Sequence, residues 1–152
     1  QPYMVAFMTQ LLALDAQDKV LEVGTGSGYQ AAILSMLAAA VHSVERYGIL
    51  AERAEKLLGP LGYKNVSIHV GDGTLGYPDE APYNGIIVTA GSPSVPEPLK
   101  KQLAEGGRLV CPVGGMECQR LLQITRQGHH FVEKDVMGCL FVPLVGAYGW
   151  TP

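Results

Sequence analysis

The run Val20-Leu-Glu-Val-Gly-Thr-Gly-Ser-Gly-Tyr29 constrains this chain more than any other segment. Val20 to Val23 reads as a short buried strand. Gly24, Gly26 and Gly28 then supply a backbone that can turn sharply and lie against a ligand, because glycine carries no Cβ. A helix follows from about Tyr29. A strand, a glycine turn and a helix in this order form the first unit of an open α/β sheet. Ligands of such sheets sit outside the carboxyl ends of the strands, near the point where strand order reverses.

The rest of the chain continues the alternation. Residues from about Pro2 to Leu14 predict a helix, with proline in its first turn and Met4, Met8, Leu11 and Leu12 at helical spacing. The first strand starts at about Lys19. Tyr29 to Ala40 predicts an Ala/Leu-rich helix, apolar almost all round and so well buried. Val41 to Glu45 is a second strand, and Tyr47 to Leu58 a helix with Glu52 and Lys56 paired at i,i+4. Val66 to Val70 alternates as a third strand and runs into Gly71-Asp72-Gly73. Gly85 to Thr89 is a fourth strand, apolar on both faces. Pro96 to Leu103 predicts a short helix and Arg108 to Pro112 a fifth strand. Leu121 to Arg126 and Phe131 to Val142 are then extended, joined at Gln127-Gly128 as a hairpin. Residues 1–152 are expected to form one domain, a doubly wound and mostly parallel α/β sheet closed by an antiparallel hairpin.

The glycine loop leaves two cofactors open. Gly26-Ser-Gly28-Tyr-Gln-Ala31 satisfies the dinucleotide pattern, with Glu45 about twenty residues on, as a ribose-binding acid requires. That reading is an NAD-dependent oxidoreductase. Two features favour S-adenosylmethionine. Glu22 precedes the first glycine, where a carboxylate repels a pyrophosphate and attracts a sulfonium or ammonium group. Asp72 ends the third strand, so that Glu22, Glu45 and Asp72 are expected to point into one cleft. There Glu45 would accept from ribose hydroxyls and Asp72 from an adenine amino group. The bland reading of Asp72 is a turn residue between glycines.

Several segments together resemble the protein-L-isoaspartate O-methyltransferases. They are Gln1-Pro-Tyr3, Leu21-Glu-Val-Gly-Thr-Gly-Ser-Gly-Tyr-Gln-Ala-Ala32, Val44-Glu-Arg46, Leu61-Gly-Tyr-Lys-Asn-Val66, Val70-Gly-Asp-Gly73, Ile86-Ile-Val-Thr-Ala90, Gly106-Gly-Arg-Leu-Val110 and Phe141-Val-Pro-Leu144. The resemblance implies a seven-stranded Rossmann-like methyltransferase sheet and a repair enzyme, for which the cysteine usage points to the cytoplasm. Such an enzyme moves a methyl group from S-adenosylmethionine to the α-carboxylate of L-isoaspartyl residues, leaving S-adenosylhomocysteine. It implies cofactor contacts at Glu22, Gly24, Thr25, Gly26, Ser27, Gly28, Glu45, Arg46, Asp72 and Gly73. Thr89 and Ala90 are implied in the substrate cleft. Phe141, Val142, Pro143 and Leu144 are implied as an extended main-chain clamp for the peptide. The alternative reading of the same segment is a last core strand. The family's active-site serine would precede Gln1, so no catalytic residue is assigned within the chain, which is expected to be an N-terminally truncated member. A third reading follows: a fold that binds S-adenosylmethionine without turnover.

Composition narrows the partners. A net charge of −3 argues against nonspecific nucleic-acid binding, and no apolar run approaches membrane-spanning length. No metal-ligand cluster is evident. Cys111, Cys118 and Cys139 lack disulfide or metal spacing and suit a reducing compartment. His42 and His69 read as packed strand residues rather than ligands, and Trp150 as an anchor for the tail. Loss of a covering N-terminal segment is expected to expose apolar surface around Tyr3, Phe7 and the Phe141 segment, and so to favour a dimer.

Overall fold

A computed structural model describes residues 1–151. Its seven strands form one sheet in the order β3-β2-β1-β4-β5-β6-β7. These are β1 (Lys19–Val23), β2 (Ala40–Glu45), β3 (Val66–Val70), β4 (Tyr83–Val88), β5 (Leu103–Gly114), β6 (Gln119–Gln127) and β7 (His130–Cys139). The first five pair in parallel, whereas β6 and β7 are antiparallel. Strand order reverses between β1 and β4. The expected doubly wound sheet with its terminal hairpin is therefore the observed one. The hairpin turns through Gly128 and His129, with Gly128 at φ +61°, the left-handed conformation that a two-residue turn needs.

The central strands are covered on both sides and alternate between two cores. Leu21, Val23, Ile86, Val88 and Leu109 pack on one face with Leu99 of helix α4 (Glu97–Lys101). Val20, Val41, Ile87 and Val110 pack on the other against Met8 and Leu12 of α1 (Pro2–Leu12) and Leu34 of α2 (Tyr29–Ser35). The helix α3 (Gly48–Leu58) lies beside β2 and β3 and carries the expected Glu52–Lys56 pair. Among the described residues no helix is long and apolar enough to cross a membrane.

Three boundaries differ from expectation by three residues or more. α2 stops at Ser35 rather than Ala40. Asn65 Nδ2 donates to the carbonyls of Ser35 and Ala38 at 2.9 and 3.0 Å and so caps the helix end, and the Ala39 and Ala40 N–H groups already bond to Asp18. Met36 and Leu37 consequently stand exposed instead of buried. β5 begins at Leu103, using a register shift opposite Tyr83 and Gly85 to pair earlier than the apolar run suggests. β7 ends at Cys139, so Phe141–Leu144 is not a core strand: Val142 is exposed, while Phe141 and Leu144 pack inward.

The two strand histidines are packed. His42 Nδ1 lies 3.2 Å from His69 Nε2, and His69 stacks on Tyr77 at 3.7 Å between centroids. Burial is the main cause that lowers both pKa values. Trp150 anchors the tail by donating from Nε1 to the Gly91 carbonyl at 3.1 Å.

Candidate functional site

Parallel strands leave their carboxyl ends on one edge, and the loops after β1, β2 and β4 meet there. Gly24, Gly26 and Gly28 all adopt positive φ (+97°, +52° and +82°). That conformation costs an L-residue about 1–2 kcal/mol, which is why the sequence spends three glycines here. A Cβ at Gly24 would fall on the Thr89 hydroxyl, which donates to the carbonyls of Val23 (3.0 Å) and Gly24 (2.8 Å). The β1 and β4 loops are thereby locked together at the point of strand reversal.

Two adjoining cavities flank this loop. One, of about 290 Å³, is lined by Gly24, Gly26, Glu45, Arg46, Gly73, Thr89 and Ala90 and walled by Val142–Val145. The other, of about 280 Å³, reaches Thr25, Ser27 and Phe141 beside α1. The structure thus gathers most of the expected residues around one loop. Tyr47 and Leu50 join them, which the sequence left as ordinary helix residues. Leu50 follows from its position in the first turn of α3, directly after the acid that ends β2.

Glu45 is the polar centre of the first cavity. Its Oε2 accepts the Gly26 N–H at 2.9 Å and its Oε1 accepts the Tyr47 N–H at 3.0 Å. Each carboxylate oxygen keeps a second lone pair, so the group can still accept from two hydroxyls. Held from both sides by backbone, it is preorganised for a vicinal diol.

Glu22 is placed differently from expectation. Its strand is buried on both faces, and in register it lies opposite Ser43. It is fully buried and does not line either cavity. Ser43 Oγ lies 2.5 Å from Glu22 Oε2 and 2.6 Å from Thr25 Oγ1, while Glu22 Oε1 has no partner among the described residues. Burial raises its pKa to about 8, against the Ser43 hydrogen bond and with a smaller contribution from Glu45. Near neutral pH the group is largely a neutral acid under the loop, not a charge at its mouth, so the sulfonium-attraction argument does not hold for it. Ser43, which belongs to no motif, links it to the loop.

This placement has a measurable consequence. The folded pKa of about 8 stands above the ordinary 4.5, so the acid's contribution to stability is full below 4.5 and is lost as pH rises through 8. At about 1.4 kcal/mol per unit, a window this wide is on the order of several kcal/mol. Glu22→Gln keeps the shape and cannot ionise. Its melting temperature should equal the wild type's at about pH 5 and exceed it near pH 8 to 9. Equal melting curves across that range would show that Glu22 is ionised in the folded protein.

Asp72 stands next to the first cavity rather than in its lining. Its Oδ1 accepts from the Thr74 N–H (2.9 Å) and hydroxyl (2.6 Å), and its Oδ2 accepts from the Ala147 N–H at 2.8 Å. Burial works against ionisation, but the Ala147 and Thr74 bonds together with Arg46 hold its pKa below the usual value. The bland turn reading describes much of this, since Asp72 caps a single 3₁₀ turn (Gly73–Leu75) and brackets the C-terminal turn, while Gly73 faces the cavity.

Comparison with known proteins agrees with this geometry. A model of the protein-L-isoaspartate(D-aspartate) O-methyltransferase family matches residues 1–149. The chain is 54% identical over 151 residues to the protein-L-isoaspartate O-methyltransferase of Syntrophotalea carbinolica, covering 99% of this chain and 70% of that one. A solved protein-L-isoaspartate O-methyltransferase superposes with a TM-score of 0.90 at 33% identity, over 98% of this chain and 49% of the other. An S-adenosylmethionine-dependent methyltransferase of Thiobacillus denitrificans, solved in complex with S-adenosylhomocysteine, shares the fold (TM-score 0.61, 20% identity, 74% of this chain and 48% of that one). With the family model matched over residues 1–149 and relatives more than half identical across the chain, the chain belongs to the protein-L-isoaspartate(D-aspartate) O-methyltransferase family.

Proposed function

We propose that this chain carries the S-adenosylmethionine site and the peptide wall of an enzyme that methylates the α-carboxylate of L-isoaspartyl residues in damaged proteins. One observation carries the reading. The glycine loop, Glu45 and the Val142–Leu144 segment border a single cavity, so a nucleoside and a peptide can meet there.

The residues present suit the cofactor. Glu45 accepts from ribose hydroxyls. Gly26 leaves open space where a Cβ would stand, so the loop admits the amino-acid portion there, whereas Gly24 and Gly28 make room for Thr89 and for Leu58 and Ala54, and Gly28 lines neither cavity. Arg46, Tyr47 and Leu50 border the nucleoside end. The cofactor, when bound, supplies an electrophilic methyl group. The acceptor carboxylate is ionised at neutral pH, its ordinary pKa being near 4, so no strong base is required of the protein. The chain's task is to hold the acceptor in line and exclude water. Thr89, fixed by its carbonyl contacts, lines both cavities, and Ala90 lines the first. Three free cysteines fit a reducing compartment such as the cytoplasm.

The test is methyl transfer from labelled S-adenosylmethionine to an isoaspartyl peptide and to its normal aspartyl twin. Incorporation is expected into the isoaspartyl peptide only. Cofactor binding with no transfer would favour a binding module instead.

A further inference from the structure

The Phe141–Leu144 wall lies outside any strand, so something other than a sheet ladder must fix it. Gly91 supplies one anchor. Its N–H donates to the Val142 carbonyl at 2.7 Å, and its carbonyl accepts the Leu144 N–H at 2.8 Å. The other anchor is a side chain. Gln119 Oε1 accepts the Phe141 N–H at 2.8 Å, and Gln119 Nε2 donates to the Phe141 carbonyl at 3.1 Å. A carboxamide offers one acceptor and two donors, so in this pose it replaces the backbone of a neighbouring strand. Gln119 is only 1% exposed, and water does not compete for either bond. A Cβ at Gly91 would fall on the Gln119 carboxamide, so the two anchors pack as one unit.

We propose that Gln119 is a positioning residue for the peptide wall: its carboxamide fixes the Phe141 main chain and thereby sets where Val142 to Val145 stand in the cavity. The proposal rests on the reading that this wall holds an isoaspartyl peptide. Gln119 itself touches neither cavity. It acts through Phe141, whose loss of register would carry the wall with it.

Steady-state methyl transfer to an isoaspartyl peptide, with Gln119→Leu and Gln119→Glu, tests this. Gln119→Leu removes both bonds. Its peptide KM should rise about tenfold or more, with a smaller change in kcat and S-adenosylhomocysteine affinity held within about threefold. Gln119→Glu keeps the acceptor and, when ionised, loses the donor to Phe141. Burial raises a carboxyl pKa, so lowering the pH from about 8 to about 6 should restore the donor and bring KM back towards the wild-type value. That recovery is the decisive result if the leucine variant fails to fold. A lowered melting temperature with unchanged KM, and no pH-dependent recovery in Gln119→Glu, would make the role purely structural and overturn the proposal. A wild-type chain that binds cofactor but methylates no isoaspartyl peptide would instead overturn the functional reading beneath it.

Discussion

Glu45→Ala should weaken S-adenosylhomocysteine binding about 100-fold, because two hydrogen bonds to a charged acceptor are worth about 1.5–3 kcal/mol each and both would be lost, partly offset by water. The substitution also frees the Gly26 and Tyr47 N–H groups that Glu45 now holds. Loop order and ligand contacts therefore fall together. Glu45→Gln keeps one good acceptor and should lose about tenfold. Calorimetric titration separates the three proteins. An alanine variant that binds as tightly as the wild type would remove Glu45 from the site.

Gly24→Ala should be the most destabilising small change in the loop. Its φ of +97° is costly for any L-residue, and the new Cβ would displace the Thr89 hydroxyl from the Val23 and Gly24 carbonyls. Strain of about 1–3 kcal/mol and a weakened hydrogen bond shared between two carbonyls sum to about 3 kcal/mol, or roughly 10 °C in melting temperature for a domain of this size. Gly26→Ala is the internal control. At φ +52° with no atom within 4 Å of the added Cβ, it should cost about 1 kcal/mol. Thermal melts of the two variants would contradict this account if the order were reversed.

β1, β4 and the middle of β5 were readable as short, mostly apolar runs, a pattern that reports burial on both faces, whereas β3 was readable from its alternation. The glycine loop was readable for the same local reason. What escaped the sequence depends on contacts between distant residues. Glu22 sits in the same loop-bearing run, yet only the register against Ser43 shows that it turns inward and keeps its proton. Gln119 reads as one more strand residue until Phe141, on the far side of a hairpin, is brought against its carboxamide. α2 looked longer than it is because Asn65, thirty positions beyond Ser35, supplies its stop. Apolar periodicity has no access to such partners. Asp72 falls between these cases: its placement after β3 was legible, but its bond to Ala147 was not.

Titration of S-adenosylhomocysteine into the wild-type chain tests the central claim most directly, with NADH titrated in parallel. The cavity beside Glu45 predicts saturable one-to-one heat with S-adenosylhomocysteine, and stabilisation of about 2.7 kcal/mol at a hundred times the dissociation constant. Saturable NADH binding, with no heat and no melting shift from S-adenosylhomocysteine, would contradict it.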